Sequence, residues 1–231
     1  MTICSRLSMP LKELFLTIDD GPSIHTKAKV DFLKMHHIPA LLYARGEFMK
    51  KYPDEIPYAI QQGFLIGNHS YTHPFFSQIP LEKCFEEILR TEELIETAYT
   101  QAGEKRSQKI VRLPFADRGA GPHAVASKTV TEEEKVQAIQ NFLKQHHFSP
   151  VFFNKKQPSF IDSFWDLDTE DYKSKYINDK TLFENRLKEL LSNYNHPSMI
   201  LLVHDFDNNH HLFETTMNLL LKKNVKFAAS C

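Results

Sequence analysis

The chain has 231 residues, 42% of them hydrophobic and 25% charged, and a formal net charge of -1. Such a composition can bury a sizeable core and form one large domain. It excludes a general basic field of the kind that holds nucleic acid or an anionic membrane surface, so neither is expected as a partner.

Short apolar runs alternate with helical patterns along the chain. "LFLTI" (14–18) predicts a strand, followed by a helix over 27–37. "IPALLYA" (38–44) predicts the next strand, and a helix near 53–62 leads into "FLIGN" (64–68). Leu81, Cys84, Phe85, Ile88, Leu89, Ile95 and Ala98 recur at three and four residues, which predicts a helix over 81–99 with one apolar face. "KIVRLPF" (109–115) reads as a strand. Thr131, with Glu134 three residues on, carries the capping-box pattern at the start of another helix. "SPVFF" (149–153), "FWDLD" (164–168) and "MILLVH" (199–204) are further strand candidates. Helices are expected over 181–194 and 211–223, and "VKFAA" closes the chain.

The loop 116–130 is the longest linker-like stretch, so residues 1–231 are expected to form a single domain, with 1–12 as a short lead-in. Cys4, Cys84 and Cys231 lack the spacing of a disulfide framework or a cysteine zinc site and read as thiols of a reducing compartment. No stretch has signal-peptide or membrane-spanning length, which predicts a cytoplasmic protein.

Strand–helix alternation allows a doubly wound sheet or a β/α barrel. The unusual polar groups favour the barrel. Asp19, Asp20, His69, Arg112, Asp166, Asp168 and His204 all fall at or just beyond the C-terminal ends of predicted strands. In a barrel those ends converge on one face.

Each motif has an ordinary reading as well as a chemical one. "DDG" (19–21) is a hairpin signal, but Pro22 and a helical pattern follow it instead of a returning strand. Two adjacent carboxylates repel unless positive charge separates their roles. His69 and His73 are four residues apart, which on one helical turn lets both rings grip a metal ion. The chain contains 12 histidines, so that spacing alone is a weak signal. The doublets His36–His37 and His146–His147 lie at predicted helix C-termini and read as dipole partners. His210–His211 is likewise given no ligand role. Arg112 is a lasting partner for a buried carboxylate. "FWDLDTEDY" (164–172) could be a solvated loop, and His204 a core histidine.

Taken together, TxDDGP (Thr17–Pro22), HSxxH (His69–His73), RxPF (Arg112–Phe115), DxxDY (Asp168–Tyr172) and LxH (Leu202–His204) resemble the polysaccharide deacetylase family, also called the NodB-homology domain or carbohydrate esterase family four. The resemblance implies a single-domain distorted (β/α) barrel of about seven parallel strands, binding a divalent metal, usually zinc. It implies Asp20, His69 and His73 as ligands, Asp19 as general base and His204 as general acid. Arg112 would hold Asp19, and Asp171 would orient His204. The Phe115 backbone N–H would receive the oxyanion, with Tyr172 and Leu202 lining the acyl pocket. Ile18, Phe115 and Tyr172 stand where the family often has phenylalanine, tyrosine and tryptophan.

The implied reaction is removal of N-acetyl groups from an N-acetylhexosamine glycan. Hydrolysis of O-acetyl sugars or other acyl-amides, and a silent glycan-binding relative, are the alternatives. Two histidines and a carboxylate also serve non-haem iron(II) oxygenases, but the base–arginine and acid–histidine pairs would be superfluous there.

Overall fold

The computed structural model describes residues 13–123, 126–150, 165–193 and 198–229. In chain order the elements are β1 (Glu13–Gly21), α1 (Thr26–Met35), β2 (Ala40–Ala44), α2 (Gly46–Lys51), α3 (Glu55–Gln61), β3 (Leu65–Asn68), α4 (Leu81–Ala102), α5 (Val130–Gln145), β4 (Leu167–Asp168), α6 (Ser174–Ile177), α7 (Lys180–Asn193), β5 (Ser198–His204), α8 (His210–Lys222) and β6 (Lys226–Phe227). The strands run parallel in the order β3–β2–β1–β5–β4. β6 pairs with Glu13 and Leu14 of β1, ahead of the point where β2 takes over at Leu16.

Successive strand residues face opposite sides of a sheet, and β1 divides accordingly. Leu14, Leu16 and Ile18 join the outer core with Val30 and Leu33 of α1, Leu201 and Val203 of β5, and Leu212 and Phe213 of α8. Phe15 faces inward with Leu41, Tyr43, Ile110 and Ile200. The next inward positions on β1 are Thr17 and Asp19, which both accept hydrogen bonds from Arg112. The alternation that buries the outer core therefore carries polar groups to the C-terminal mouth. Gly67 on β3 is required by close approach: a Cβ there would lie 2.4 Å from the Tyr43 ring.

The expected α/β class, parallel strands with helices outside them, is what the chain adopts. The described residues hold six strands against about seven predicted. The predicted strand at 109–115 survives only as isolated bridges, Asn68 to Val111 and Lys109 to Phe148. Pro114 has no N–H to extend a ladder, and the chain turns there into a 3-10 turn over Pro114–Ala116. The strand predicted at 149–153 lies mostly outside the described residues, as do the lead-in 1–12, Cys4 and Cys231.

Two helix ends show how local chemistry sets boundaries. Gly103, at φ 73°, ends α4, and its N–H and that of Glu104 bond to the carbonyls of Thr100 and Tyr99. The capping box of α5 uses Thr129 and Glu132, not Thr131 and Glu134. The pattern occurs twice, two residues apart, and the helix begins at the earlier copy. His36 and His146 are C-cap residues, in keeping with their predicted places. Among the described residues no helix is long and apolar enough to cross a membrane.

Candidate active site

Asp19 ends the inward row of β1, and its register partner on β5 is His204. Arg112 Nη1 donates to Asp19 Oδ1 and to Thr17 Oγ1, both at 2.8 Å. The guanidinium is 0% exposed and lies 4.4 Å from the Tyr43 ring centroid. Asp20 turns away at φ 66°, a left-handed conformation that costs a non-glycine residue energy and that the surroundings must enforce. Its neighbour Gly21 fits tightly: a Cβ there would stand 2.9 Å from Asp205 Oδ2. The two adjacent aspartates thus point differently, although His69 Nε2 lies 3.7 Å from an oxygen of each, and β1 does not turn back as a hairpin.

His69 and His73 do converge, but not on a helical turn. Residues 69–73 form a loop, with Ser70 and His73 both at φ 63°. Asn68 Oδ1 accepts from the Ser70 N–H at 2.9 Å. Glu87, reaching over from α4, accepts from the N–H groups of Tyr71 and Thr72 at 2.9 and 2.7 Å. The Arg112 carbonyl lies 2.6 Å from His69 Nδ1. A carbonyl only accepts, so Nδ1 carries the proton and Nε2 presents its lone pair inward.

Asp20, His69 and His73 bring one ligand atom each within 4.8 Å of one another. Burial pushes His69 down to about 4, against the pull of Asp20, and pushes His73 down to about 3. Both rings are neutral at pH 7. Burial opposes the charge on Asp20, yet His73, His69, His204 and Arg45 hold its carboxyl below the usual value. Asp20 Oδ1 is buried without a hydrogen-bond partner, 3.1 Å from His73 Nε2 and 3.7 Å from His69 Nε2. An orphaned carboxylate oxygen beside neutral imidazoles is an arrangement that a divalent cation satisfies, and the donor set suits zinc.

Across the mouth, His204 Nδ1 lies 2.7 Å from Asp171 Oδ1, and the His204 N–H donates to both Asp171 oxygens at 3.2 Å. Burial disfavours the imidazolium, but the hydrogen bond and charge of Asp171, with smaller contributions from Asp168 and Asp20, raise His204 to about 9. Tyr172 sets its ring edge-on to His204 at 4.7 Å. Phe115, at φ 57°, stacks on Phe75 and meets the His73 ring. Both Tyr172 and Phe115 are partly open to solvent, at 42% and 37%. Between them is a cavity of about 180 Å³, with Leu202 and Trp165 in its wall. Asp168 also lines it, its carboxyl raised by burial. Asp166 instead accepts from the Ile200 N–H and serves the sheet.

The structure brings together every residue named from the motifs. It adds Arg45, which the sequence reading did not single out. Arg45 Nη1 lies 3.7 Å from Asp20 Oδ1, and its other arm pairs with Glu47. Its position directly after β2, a strand end at the mouth, was the available signal. A fixed positive charge this near a cation site opposes the ion. Arg45→Gln is therefore expected to tighten the binding of a divalent cation, with zinc as the probe, about tenfold, a modest effect for charges in partly buried surroundings. Competition against a chromogenic chelator measures it; unchanged affinity would mean that Glu47 neutralises the arginine.

A parallel β/α sheet with a carboxylate–imidazole–imidazole cluster at its C-terminal mouth, flanked by two buried ion pairs, defines a class of metal-site proteins. A family model described as polysaccharide deacetylase matches residues 7–132, just over half of the sequence. The chain belongs to the polysaccharide deacetylase family. It is 31% identical over 106 residues to a peptidoglycan-N-acetylglucosamine deacetylase of Bacillus cereus, covering 46% of this chain and 37% of that one. A chitooligosaccharide deacetylase of Rhizobium leguminosarum bv. trifolii is 34% identical over 91 residues, 39% of this chain and 42% of its own. The chain thus spans about two-fifths of the length of these curated relatives.

Solved structures extend the likeness to the second half. PdaA of Bacillus subtilis, a family 4 carbohydrate esterase, superposes with a TM-score of 0.65 at 21% identity, over 96% of this chain and 80% of that one. A family 4 carbohydrate esterase from Streptomyces lividans, in complex with acetate, gives 0.60 at 21% identity over 94% and 92%. At that identity the likeness establishes the shared (β/α) barrel fold.

Proposed function

We propose that this chain is a zinc-dependent hydrolase that removes N-acetyl groups from N-acetylhexosamine glycans. One observation carries the reading. Asp19 and Asp20, adjacent in sequence, have different chief partners: Asp19 accepts from Arg112 at 2.8 Å and Asp20 lies 3.1 Å from His73 Nε2, while His69 Nε2 stands 3.7 Å from each. A binding protein has no need of that division. Similarity to deacetylases of peptidoglycan N-acetylglucosamine and of chitooligosaccharides supports the substrate class.

Asp20, His69 and His73 would hold the ion. Bound there, a divalent cation acidifies a water and polarises the acyl carbonyl. Asp19, its charge compensated by Arg112, takes the proton of the attacking water. The Phe115 N–H, in its left-handed turn at the cavity rim, donates to the oxyanion as the carbonyl becomes tetrahedral. His204 keeps a proton at neutral pH because Asp171 sits against its Nδ1. With Nδ1–H held by Asp171, the Nε2 proton passes to the nitrogen as the C–N bond breaks, and acetate and a free amine leave. An amine is a poor leaving group without protonation, so a protonated histidine suits amide cleavage better than ester cleavage. This favours the N-acetyl over the O-acetyl alternative.

Acetate release by protein stripped of metal and reloaded with zinc tests the proposal. The panel holds N-acetylglucosamine oligomers, peptidoglycan fragments and an O-acetylated xylan. Zinc-dependent release from an N-acetylated member, lost by about 10²–10⁴-fold in Asp19→Asn, is the expected result. Turnover of the xylan alone would favour the O-acetyl alternative. One zinc bound per chain without turnover of any member would favour the glycan-binding one.

A further inference from the structure

Two polar residues beneath the site turn their side chains to buried partners outside their own helices. Lys29 lies on the buried face of α1 with Thr26, Val30 and Leu33, where its ammonium forms a buried ion pair with Asp205 at 2.7 Å. Asn209 is the N-cap residue of α8, and asparagine normally caps by accepting from the helix's first turn. Here its side chain makes no such bond. Departures of this kind concentrate where function demands them.

The hydrogen bonds show where both side chains are directed. Lys29 Nζ donates to Asp205 Oδ1 at 2.7 Å, to Asn209 Oδ1 at 3.1 Å and to the His204 carbonyl at 3.4 Å. Asn209 Oδ1 also accepts from the Phe206 N–H at 3.1 Å. Its Nδ2 donates to Asp171 Oδ2 at 3.2 Å and to the His204 carbonyl at 3.0 Å. Asp205 is anchored in turn by the hydroxyls of Ser23 and Thr26, each at 2.5 Å. All of these side chains are buried.

The amide has one orientation in this setting. Lys29 and the Phe206 N–H can only donate, so they require the amide oxygen. A carboxylate and a carbonyl can only accept, so they require the NH₂ group. Reversing the amide would set its oxygen against Asp171 and its NH₂ against an ammonium.

We infer that Asn209, with its orientation fixed by Lys29 and the Phe206 N–H, is a positioning residue that, together with the His204 backbone N–H, holds Asp171 in line with His204 Nδ1. The inference rests on the proposed acid role of His204. Asp171 Oδ1 serves the imidazole, and Asn209 holds Oδ2. The His204 backbone N–H, which donates to both oxygens, ties the carboxylate to β5, and the Asn209 amide adds the side-chain bond that resists its rotation away from the ring. Lys29 acts one hydrogen bond further back and touches neither Asp171 nor the cavity.

Asn209→Leu keeps the side-chain shape and removes both polar ends. With zinc loaded, kcat on an N-acetylated oligosaccharide is expected to fall about 10- to 100-fold, the scale of a small misplacement of a catalytic group. KM should change little, and kcat on an activated acetate ester should fall by less. The double variant Lys29→Met/Asp205→Asn removes both buried charges together, so neither is left unpaired, and it is expected to show the same split. It keeps the test in force if Asn209→Leu does not fold.

A second readout needs no turnover. The His204 Nδ1–H bound to Asp171 gives a downfield proton resonance, assigned by its loss in His204→Gln. Loss or exchange broadening of that resonance in the variants, with the amide-weighted fall in kcat, supports the inference. An unchanged resonance in the folded variants overturns it, whatever the rates do. If the wild-type chain turns over neither substrate, the proposed function fails and the resonance alone decides the positioning role.

Discussion

Alanine in place of His69 or His73 is expected to abolish metal retention and turnover together. Each imidazole supplies one of three donors, and Asp20 cannot replace either. Outer partners of metal ligands already contribute about 10- to 100-fold in affinity, so loss of a direct ligand should exceed about 100-fold. Metal content per chain after desalting, read by atomic emission, measures this. Stoichiometric zinc in either variant would remove that residue from the ligand set. The wild-type site also has a definite acid limit. Free histidine protonates near 6.5, but burial has moved His69 to about 4 and His73 to about 3. Protons therefore begin to compete with the ion only well below neutrality. Zinc should stay bound at pH 6 and leave as the pH falls toward 4. The same shifts bear on stability. An unfolded chain takes up these protons near 6.5 while the folded one resists, so the contribution of both rings is present above that pH and is lost as it falls through 6.5 toward 4 and 3.

His204→Ala is the complementary experiment, because it should leave zinc in place and remove the proton donor. Turnover of an N-acetyl substrate is expected to fall by about 10²–10⁴-fold, the usual contribution of a positioned acid. An activated ester has a leaving group that departs without a proton and should lose far less. Equal losses on both substrates would remove the acid role. The pH dependence has the opposite sign to that of the metal ligands. His204 is raised to about 9, so its proton, and the stability of its pairing with Asp171, are present below about 6.5 and are lost as the pH rises through about 9. A bound dication repels the imidazolium and moves that limit lower. The basic limb of kcat/KM for amides should therefore fall at or below pH 9, and His204→Ala should lack it.

Much of the fold and the candidate site was legible in the sequence because it depends on short-range pattern. The strands β1 and β5 could be read from the apolar runs "LFLTI" and "MILLVH", and the motif order pointed to the residues that meet at the mouth. What was misread depends on backbone geometry that spacing does not reveal. His69 and His73 are four apart, as on a helix, yet left-handed residues and the clamp of Glu87 shape a loop. The segment 109–115 has the apolar content of a strand, but Pro114 ends it early. Other parts were invisible for a different reason. Lys29 and Asn209 are 180 positions apart, and neither stands in a recognisable motif. Arg45 is one arginine among many until β2 delivers it to Asp20.

The sheet order has a consequence for synthesis of the chain. β1 lies between β2 and β5, and it pairs with β5 all along Glu13–Asp19. On the ribosome β1, β2 and β3 emerge early, with Asp20, His69 and His73 all within the first 73 residues. β5 emerges well over a hundred residues later. Until then the most central strand presents a bare hydrogen-bonding edge, flanked by Leu14, Leu16 and Ile18, which invites pairing with another chain. The nascent protein holds the three cation-binding residues long before it can close that edge. A product truncated ahead of Ser198 should accordingly aggregate, despite carrying all three.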